Sequence, residues 1–218
     1  RMIRHLPEST VRKLGIFSHG ETSVSVHRDE PIFDGQFSNR CYQAAVRQAF
    51  HNFAKKAEKQ GRYTPADDER LTEQWSRIIM HLPYAFQAKR MFPDIFRHDR
   101  IDTEMWAEIA EKLGPMPEPH DSEDPQIIEI WEKAMDGYRR AISKTPEYLD
   151  FHASRIEKGQ RASSLIGNQY TGSIFLALMS TFESDLEDNS SLEGELFGLC
   201  GYGSGAKAKV FEGKVAPK

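Results

Sequence analysis

The chain has 218 residues, of which 39% are hydrophobic and 28% charged, and its formal net charge is -4. These values are typical of one globular domain, here residues 1–218, and the mixed charges argue against a surface for nucleic acid or for a membrane. No apolar run approaches the roughly 20 residues of a membrane span, and two cysteines make no disulfide framework, so we expect a cytoplasmic protein. The chain opens without methionine, and we expect a fragment of a longer protein.

The first third of the chain predicts strand, turn and helix in that order. A β-leaning stretch at 13–26 indicates one or two short strands, and 31–35 reads as a turn. Apolar residues then recur every three or four positions, which predicts a helix up to about Gly61. Ser38 or Asn39 is placed to cap it.

The middle of the chain is mainly helical. A short strand at 75–80 precedes a helix from Pro83 to Met91. Asp102 is placed to cap the next helix, which Gly114 ends. After a stiff proline-rich connector, a long helix begins at Pro125. Its predicted apolar face is Ile127, Ile130, Trp131, Ala134, Tyr138 and Ile142.

The last third returns to strands. Helices are predicted over 146–156 and 170–182, followed by an acidic loop and strands at 195–200 and 206–211. The final helix is expected to bury Ile174, Phe175, Leu178, Met179 and Phe182. Strands at both ends of a helical middle indicate an α/β or α+β fold in layers.

His81 ends the apolar run at 75–80, just before a proline turn. A histidine there reaches a cleft and suits acid–base work near neutral pH. The alternative is a histidine that only hydrogen-bonds a neighbouring carbonyl.

Two further polar residues stand beside glycines. Asn168 precedes a helix start, where its amide either donates to a ligand carbonyl or caps the helix. Ser204, within Gly201–Gly205, either contacts a ligand or sits in a tight hairpin turn, and it lacks a nucleophile-elbow pattern.

The remaining candidates are basic residues, a serine and thiols. Lys89 and Arg90 could hold a phosphate or form a solvated pair, and Ser38 is a cap or a pocket donor. Cys41 and Cys200 lie in apolar surroundings that raise a thiol's pKa, so both are interpreted as structural.

Four segments in order resemble the C-terminal half of 3-hydroxy-3-methylglutaryl-CoA synthase, of the thiolase superfamily. They are Pro31–Ser38 with Cys41-Tyr42, His81-Leu82-Pro83-Tyr84, Gly167–Ser173 and Gly201–Gly205. The resemblance covers roughly residues 30–213. It implies a thiolase-like half with a mixed five-stranded sheet, helices and a helical insertion over about 102–158.

The resemblance also implies a function, an acyltransferase that condenses acetyl-CoA with acetoacetyl-CoA in the mevalonate pathway. It makes His81 the catalytic histidine that positions the acetoacetyl thioester. The implied substrate-binding set is Ser38, Tyr84, Asn168 and Ser204, and Arg90 with Lys89 would bind CoA phosphate. No metal or separate cofactor is implied, because coenzyme A is part of the substrate.

The sequence departs from the family pattern in two respects. The catalytic cysteine and glutamate belong to an N-terminal half that this chain lacks, so we expect the chain alone to be inactive. The complete enzyme is expected to be a homodimer. A CoA-facing lysine is Phe86 here. Two alternatives therefore stay open: a relative that acts on acyl carrier protein in polyketide β-branching, and a non-catalytic thiolase-like binding module.

Overall fold

A computed structural model describes residues 35–64, 70–203 and 205–217 of the chain. In these ranges the fold is α/β, with helices packed around a three-stranded sheet. The strands predicted within 13–26 lie outside the described residues. The α/β class is confirmed, whereas only three of the five strands that the resemblance implies are present in the described ranges.

The sheet joins one early strand to two late ones. Its strands are β1 (Arg77–Met80), β2 (Leu196–Gly203) and β3 (Lys207–Lys214), in the order β1-β2-β3. β1 runs parallel to β2, with Met80 opposite Cys200, and β2 runs antiparallel to β3. The three strands predicted in these regions are confirmed, and the two late ones extend further than their sequence patterns indicated.

The described helices are α1 (Gly35–Lys59), α2 (Gln87–Met91), α3 (Pro93–Arg100), α4 (Glu104–Leu113), α5 (Pro125–Ile142), α6 (Pro146–Arg155), α7 (Arg161–Ile166) and α8 (Ser173–Glu187). Several of these helices are capped at their N-terminus by a side-chain oxygen. Thr145 Oγ1, for example, accepts from the amide of Tyr148. Such caps satisfy amides that have no partner inside the helix. No helix in the described ranges is long and apolar enough to cross a membrane.

Four predicted helix boundaries were wrong. α1 begins at Gly35, so Ser38 lies in its first turn and does not cap it. Thr103, not Asp102, caps α4 by accepting from the Trp106 amide at 3.0 Å. Residues 83–86 form turns before α2, and α8 runs through the start of the predicted acidic loop to Glu187.

The core forms where α1, α6 and α8 cover the sheet. Trp75 is fully buried beside β1, and its ring meets Phe50 of α1 edge-on, with centroids 6.1 Å apart. The predicted apolar face of α5 is exposed at Ile127 (45%) and Ile130 (68%). The predicted burial was wrong for Phe175 and Met179 of α8, which are 65% and 69% exposed. α8 is apolar on more than one face, and only the face with Ile174, Leu178 and Phe182 packs on this core.

Folding buries His152 on α6 in its neutral form. Burial, and secondarily the Lys89 ammonium, lower its pKa from 6.5 to about 4. The unfolded chain therefore binds a proton at pH values where the folded chain does not. We expect the free energy of unfolding to fall as the pH decreases through this range, and His152→Gln to reduce that slope. Urea unfolding midpoints at several pH values measure how steeply the stability of wild type and of His152→Gln depends on pH. Equal pH dependence in the two proteins would contradict the burial of a neutral His152.

Candidate functional site

The sheet delivers His81 to the carboxyl end of β1. Its backbone amide donates to the carbonyl of Cys200 at 3.0 Å and so continues the pairing with β2. Its own carbonyl accepts from Tyr42 Oη of α1 at 2.7 Å. The rings of Tyr42 and Tyr202 pack against each other, with centroids 4.6 Å apart, and each centroid lies 6.2 Å from that of the imidazole. Strand and helix thus fix the backbone of His81 from two directions.

The His81 imidazole is buried but keeps its hydrogen-bonding capacity. Only 8% of the residue is exposed, and burial lowers the pKa, so the ring is neutral at pH 7. Within the described residues neither ring nitrogen forms a hydrogen bond, unlike the ring of His152, which contacts Gln160 at 2.6 Å. The predicted alternative, a side chain bonded to a neighbouring carbonyl, is absent from this part of the chain. A neutral imidazole of this kind can donate one hydrogen bond to a ligand.

Asn168 lies in the loop that leads into α8. Its Oδ1 accepts from the Tyr170 amide at 2.7 Å and from Ser173 Oγ at 3.3 Å. The bond to the Tyr170 amide closes a turn within the loop, and Asn168 caps neither the short helix Tyr170–Gly172 nor α8, so the capping alternative was wrong. The residue is exposed, and its amide nitrogen remains available as a donor. Tyr170 has a φ of 48°, an unusual value for a bulky residue.

The start of α8 approaches the same edge of the sheet as His81. Ile174, in the first turn of α8, packs over Gly201 of β2. Gly201 directly follows Cys200, whose carbonyl binds the His81 amide. The segments that carry His81 and Asn168, distant in sequence, thus converge at the end of β2. Ser204, the residue after β2 in the sequence, lies outside the described residues.

A cleft of about 820 Å³ opens between α1, α2 and α5, and neither His81 nor Asn168 is among the described residues that line it. Both Lys89 and Arg90 line it, together with Tyr84 and Phe86. The guanidinium of Arg90 lies 5.9 Å from the centre of the Tyr84 ring. The predicted basic pair therefore lines a concave surface of the size that small ligands occupy. Ser38 is half-buried in α1, one turn before Tyr42.

The far wall of the cleft was not anticipated from the sequence. It is one face of α5, and its lining residues are Glu129, Glu132, Lys133, Asp136, Arg139, Arg140 and Ser143. Their spacing of three and four places them on one side of the helix. That charge pattern was visible in the sequence, but a solvated helix face shows the same pattern.

The two cysteines of the chain lie in different surroundings. Cys200 is fully buried, and burial raises the pKa of its thiol to about 12. Cys41 lies within α1 and is half-buried. The thiolate is the reactive form of cysteine, so Cys200 is inert near neutral pH. No group of three or more side chains in the described ranges is arranged to hold a metal ion.

A histidine at the carboxyl end of a strand, and a concave surface lined by basic residues, are both features of α/β proteins that bind small ligands. Residues 25–218 match the family described as hydroxymethylglutaryl-coenzyme A synthase C terminal, and the chain belongs to this family.

Comparison with individual proteins agrees with that family. The chain is 28% identical over 185 residues to hydroxymethylglutaryl-CoA synthase of Haloferax volcanii, which covers 85% of this chain and 39% of the relative. Its fold resembles MvaS in complex with 3-hydroxy-3-methylglutaryl coenzyme A (TM-score 0.60, 24% identity, 88% of this chain and 38% of MvaS). It also resembles the curacin pathway HMG synthase in complex with acetyl donor-ACP (TM-score 0.55, 18% identity, 87% and 34%). The chain thus spans well under half the length of these proteins.

Proposed function

We propose that the chain is the C-terminal part of a hydroxymethylglutaryl-CoA synthase that condenses acetyl-CoA with acetoacetyl-CoA. The observation that carries this proposal is the placement of His81. Its backbone amide and carbonyl are both hydrogen-bonded, to β2 and to α1. Its ring is neutral, and the ring nitrogens have no hydrogen-bond partner in the described residues. In this role the imidazole N–H holds the acetoacetyl thioester while an acetylated cysteine of the missing N-terminal half supplies the attacking carbon. Asn168 Nδ2, Ser204, Ser38 and Tyr84 complete the substrate contacts.

The exposed apolar face of α7 and α8 supports the need for a second half. Its residues are Leu165, Ile166, Tyr170, Phe175 and Met179, all more than 60% exposed. Exposure of five large apolar side chains on consecutive elements favours an interface with another part of the protein. The N-terminal thiolase-like half is the proposed occupant, and the completed enzyme is proposed to be a cytoplasmic homodimer.

The proposal is tested by complementation. The part of MvaS that this chain does not match is produced separately and mixed with the chain, and condensation of acetyl-CoA with acetoacetyl-CoA is measured. The C-terminal part of MvaS itself serves as the positive control. We expect activity from the mixture and none from the chain alone. If the control complements and this chain does not, the proposed function is wrong.

Labelling with radioactive acetyl-CoA tests whether the cysteine that accepts the acetyl group belongs to the N-terminal half and not to this chain. We expect no acetyl thioester on the chain alone, because the Cys200 thiol stays protonated and a nucleophile needs the thiolate. Label recovered on a peptide containing Cys41 or Cys200 would contradict the assignment of both residues as structural.

Variants of Asn168 separate its two roles. Asn168→Asp keeps the oxygen that accepts from the Tyr170 amide but removes the amide donor, whereas Asn168→Ala removes both. Loss of one donor to a developing oxyanion costs about 10² in rate, so we expect both variants to slow condensation in the complemented enzyme. Only Asn168→Ala should also lower the melting temperature. Normal turnover in Asn168→Asp would leave the residue with a structural role in the loop alone.

A carrier-protein-dependent synthase is the second candidate. Phe86 favours it, because the resemblance places a CoA-facing lysine at that position. The fold of the curacin enzyme is compatible with this candidate. The two candidates differ in whether the acyl group arrives with the nucleotide end of CoA.

A further inference from the structure

The first half of α5 and the connector before it contribute nothing to the core. None of the side chains described in the range 114–134 is buried, and none of its apolar side chains packs on the core. The range is held together internally, because Trp131 Nε1 donates to the carbonyl of Glu118 at 2.8 Å and the His120 ring meets the Trp131 ring edge-on. We call this range the lid segment. Segments with so little buried apolar surface open at low cost in free energy.

The second half of α5 is anchored, in contrast to the first. Met135 and Ile142 are buried, and Arg139 Nε donates to the buried carboxylate of Asp94 on α3 at 2.9 Å. Gly137 lies at the junction of the two halves, where a β-carbon would meet no atom within 4 Å, so no neighbour requires a glycine. Glycine loosens a helix interior, and hinges are commonly found at such positions. The place of Gly137 in α5 therefore favours a hinge between the lid segment and the anchored turns.

An ion pair joins the lid segment to the opposite wall of the cleft between α1, α2 and α5. Glu132 Oε2 of the lid segment lies 3.2 Å from Arg40 Nη1 of α1, and both residues line this cleft. Both side chains are partly exposed, so water and salt screen their attraction. The pair is thus weak enough to break and re-form, whereas the Arg139–Asp94 pair of the anchored half is largely buried.

We infer that the lid segment is a hinged gate over this cleft, that it turns about Gly137 and that the Arg40–Glu132 ion pair latches it shut. The closed gate restricts access to Lys89, which lines the cleft and is half-buried. An anionic group that enters the cleft competes with the Glu132 carboxylate for Arg40, so its binding shifts the gate toward the open state. The inference goes beyond the proposed function and holds for either form of the acyl thioester.

Hydrogen exchange of the 218-residue chain, followed by mass spectrometry, tests the latch. Arg40→Gln leaves the lid segment itself unchanged, yet the amides of 129–134 should exchange about two- to fivefold faster, which is the weight of a partly exposed ion pair. High salt should speed the same amides in wild type and have no further effect in the variant. Lys55→Gln is the matched control, because it removes an exposed cation from the same helix outside the cleft lining, and its lid segment should exchange like wild type.

Acetylation of Lys89 by an N-hydroxysuccinimide ester measures access to the cleft, with the exposed Lys144 of the same protein as reference. Arg40→Gln and Glu132→Gln change the charge beside Lys89 in opposite directions, so their direct effects on its reactivity are opposed. Because both remove the latch, both should speed acetylation of Lys89 about two- to fivefold. Gly137→Ala stiffens the hinge and should slow it by up to about fivefold.

Three results would overturn the inference: unchanged exchange of 129–134 in Arg40→Gln, opposite changes of Lys89 acetylation in the two charge variants, or wild-type acetylation in Gly137→Ala. Circular dichroism identifies a variant that fails to fold. The charge exchange of Arg40→Glu with Glu132→Arg then replaces it and should restore both wild-type rates, and rates that stay raised contradict the latch. The complementation assay tests the proposed function separately. Condensation without a gate leaves that function intact, and a gate without condensation overturns only that function.

Discussion

Replacement of His81 by alanine should lower the rate of condensation in the complemented enzyme by about 10²–10⁴, the usual cost of removing a positioned catalytic group. The first half-reaction, acetyl transfer to the cysteine of the other half, should be largely unchanged, because the histidine is proposed to hold the second substrate. Single-turnover transfer from labelled acetyl-CoA, followed by addition of acetoacetyl-CoA, measures the two steps separately.

The structure supplies a suitable control for this experiment. His120 lies on the connector between α4 and α5, where it receives a hydrogen bond from the Ser122 amide, away from the edge of the sheet. His120→Ala should leave both steps unchanged. A His81→Ala enzyme with a normal condensation rate would remove His81 from the catalytic site. Loss of both steps with a lowered melting temperature would instead assign His81 a role in folding.

The pH dependence of condensation is a second test of the role proposed for His81. Burial lowers the pKa of His81 from 6.5, so the neutral ring persists at pH values where an exposed histidine is protonated. We expect the fall in rate that accompanies His81 protonation to begin below the pH at which a free histidine titrates. A fall centred above that pH would mean that another group controls the rate.

The largest effect on stability is expected at Gly198, in the middle of β2. A β-carbon built at this position would lie 2.2 Å from Cε3 of Trp75, far inside van der Waals contact. The ring cannot move away easily, because it is fully buried and its Nε1 donates to Glu212 at 2.8 Å. Gly198→Ala should therefore lower the free energy of unfolding by about 3 kcal/mol, at the upper end of overpacking costs.

Urea unfolding measures this loss against a glycine in the same strand. At Gly201 the nearest atom to a new β-carbon is 3.7 Å away, so Gly201→Ala should cost much less. Adding Trp75→Phe to Gly198→Ala should recover part of the stability, because the smaller ring vacates the space. Equal losses at the two glycines would show that the close approach of Trp75 does not determine the cost.

The local pattern of apolar residues was sufficient to predict whether a segment is a helix or a strand in most of the described chain. The apolar spacing that follows Tyr42 predicted α1, and the runs at 75–80 and 195–200 predicted β1 and β2. Boundaries were less accurate where two adjacent residues could cap equally well, as with Asp102 and Thr103. The sequence does not show which of two neighbouring polar side chains will reach the amide.

Burial on helices could not be read from periodicity alone. α8 carries apolar residues around most of its circumference, and the sequence pattern does not distinguish the face that meets this sheet from the face that is left exposed. Phe175 was therefore predicted to be buried, yet it is exposed, whereas Ile174 packs over β2. The choice depends on the orientation of the helix axis over the strands, which is a property of the packed structure.

The sequence by itself determined the element types, the family and the chemical identity of the candidate residues, because spacing, proline and glycine act on local backbone geometry. Only the tertiary structure decided which of these residues meet. Pairing of β1 with β2 brings His81 to Cys200, across more than 100 residues of chain, and packing of α5 opposite α2 places Arg140 across a cleft from Arg90. These arrangements depend on which hydrophobic faces are buried together, and that choice is made by the whole core at once.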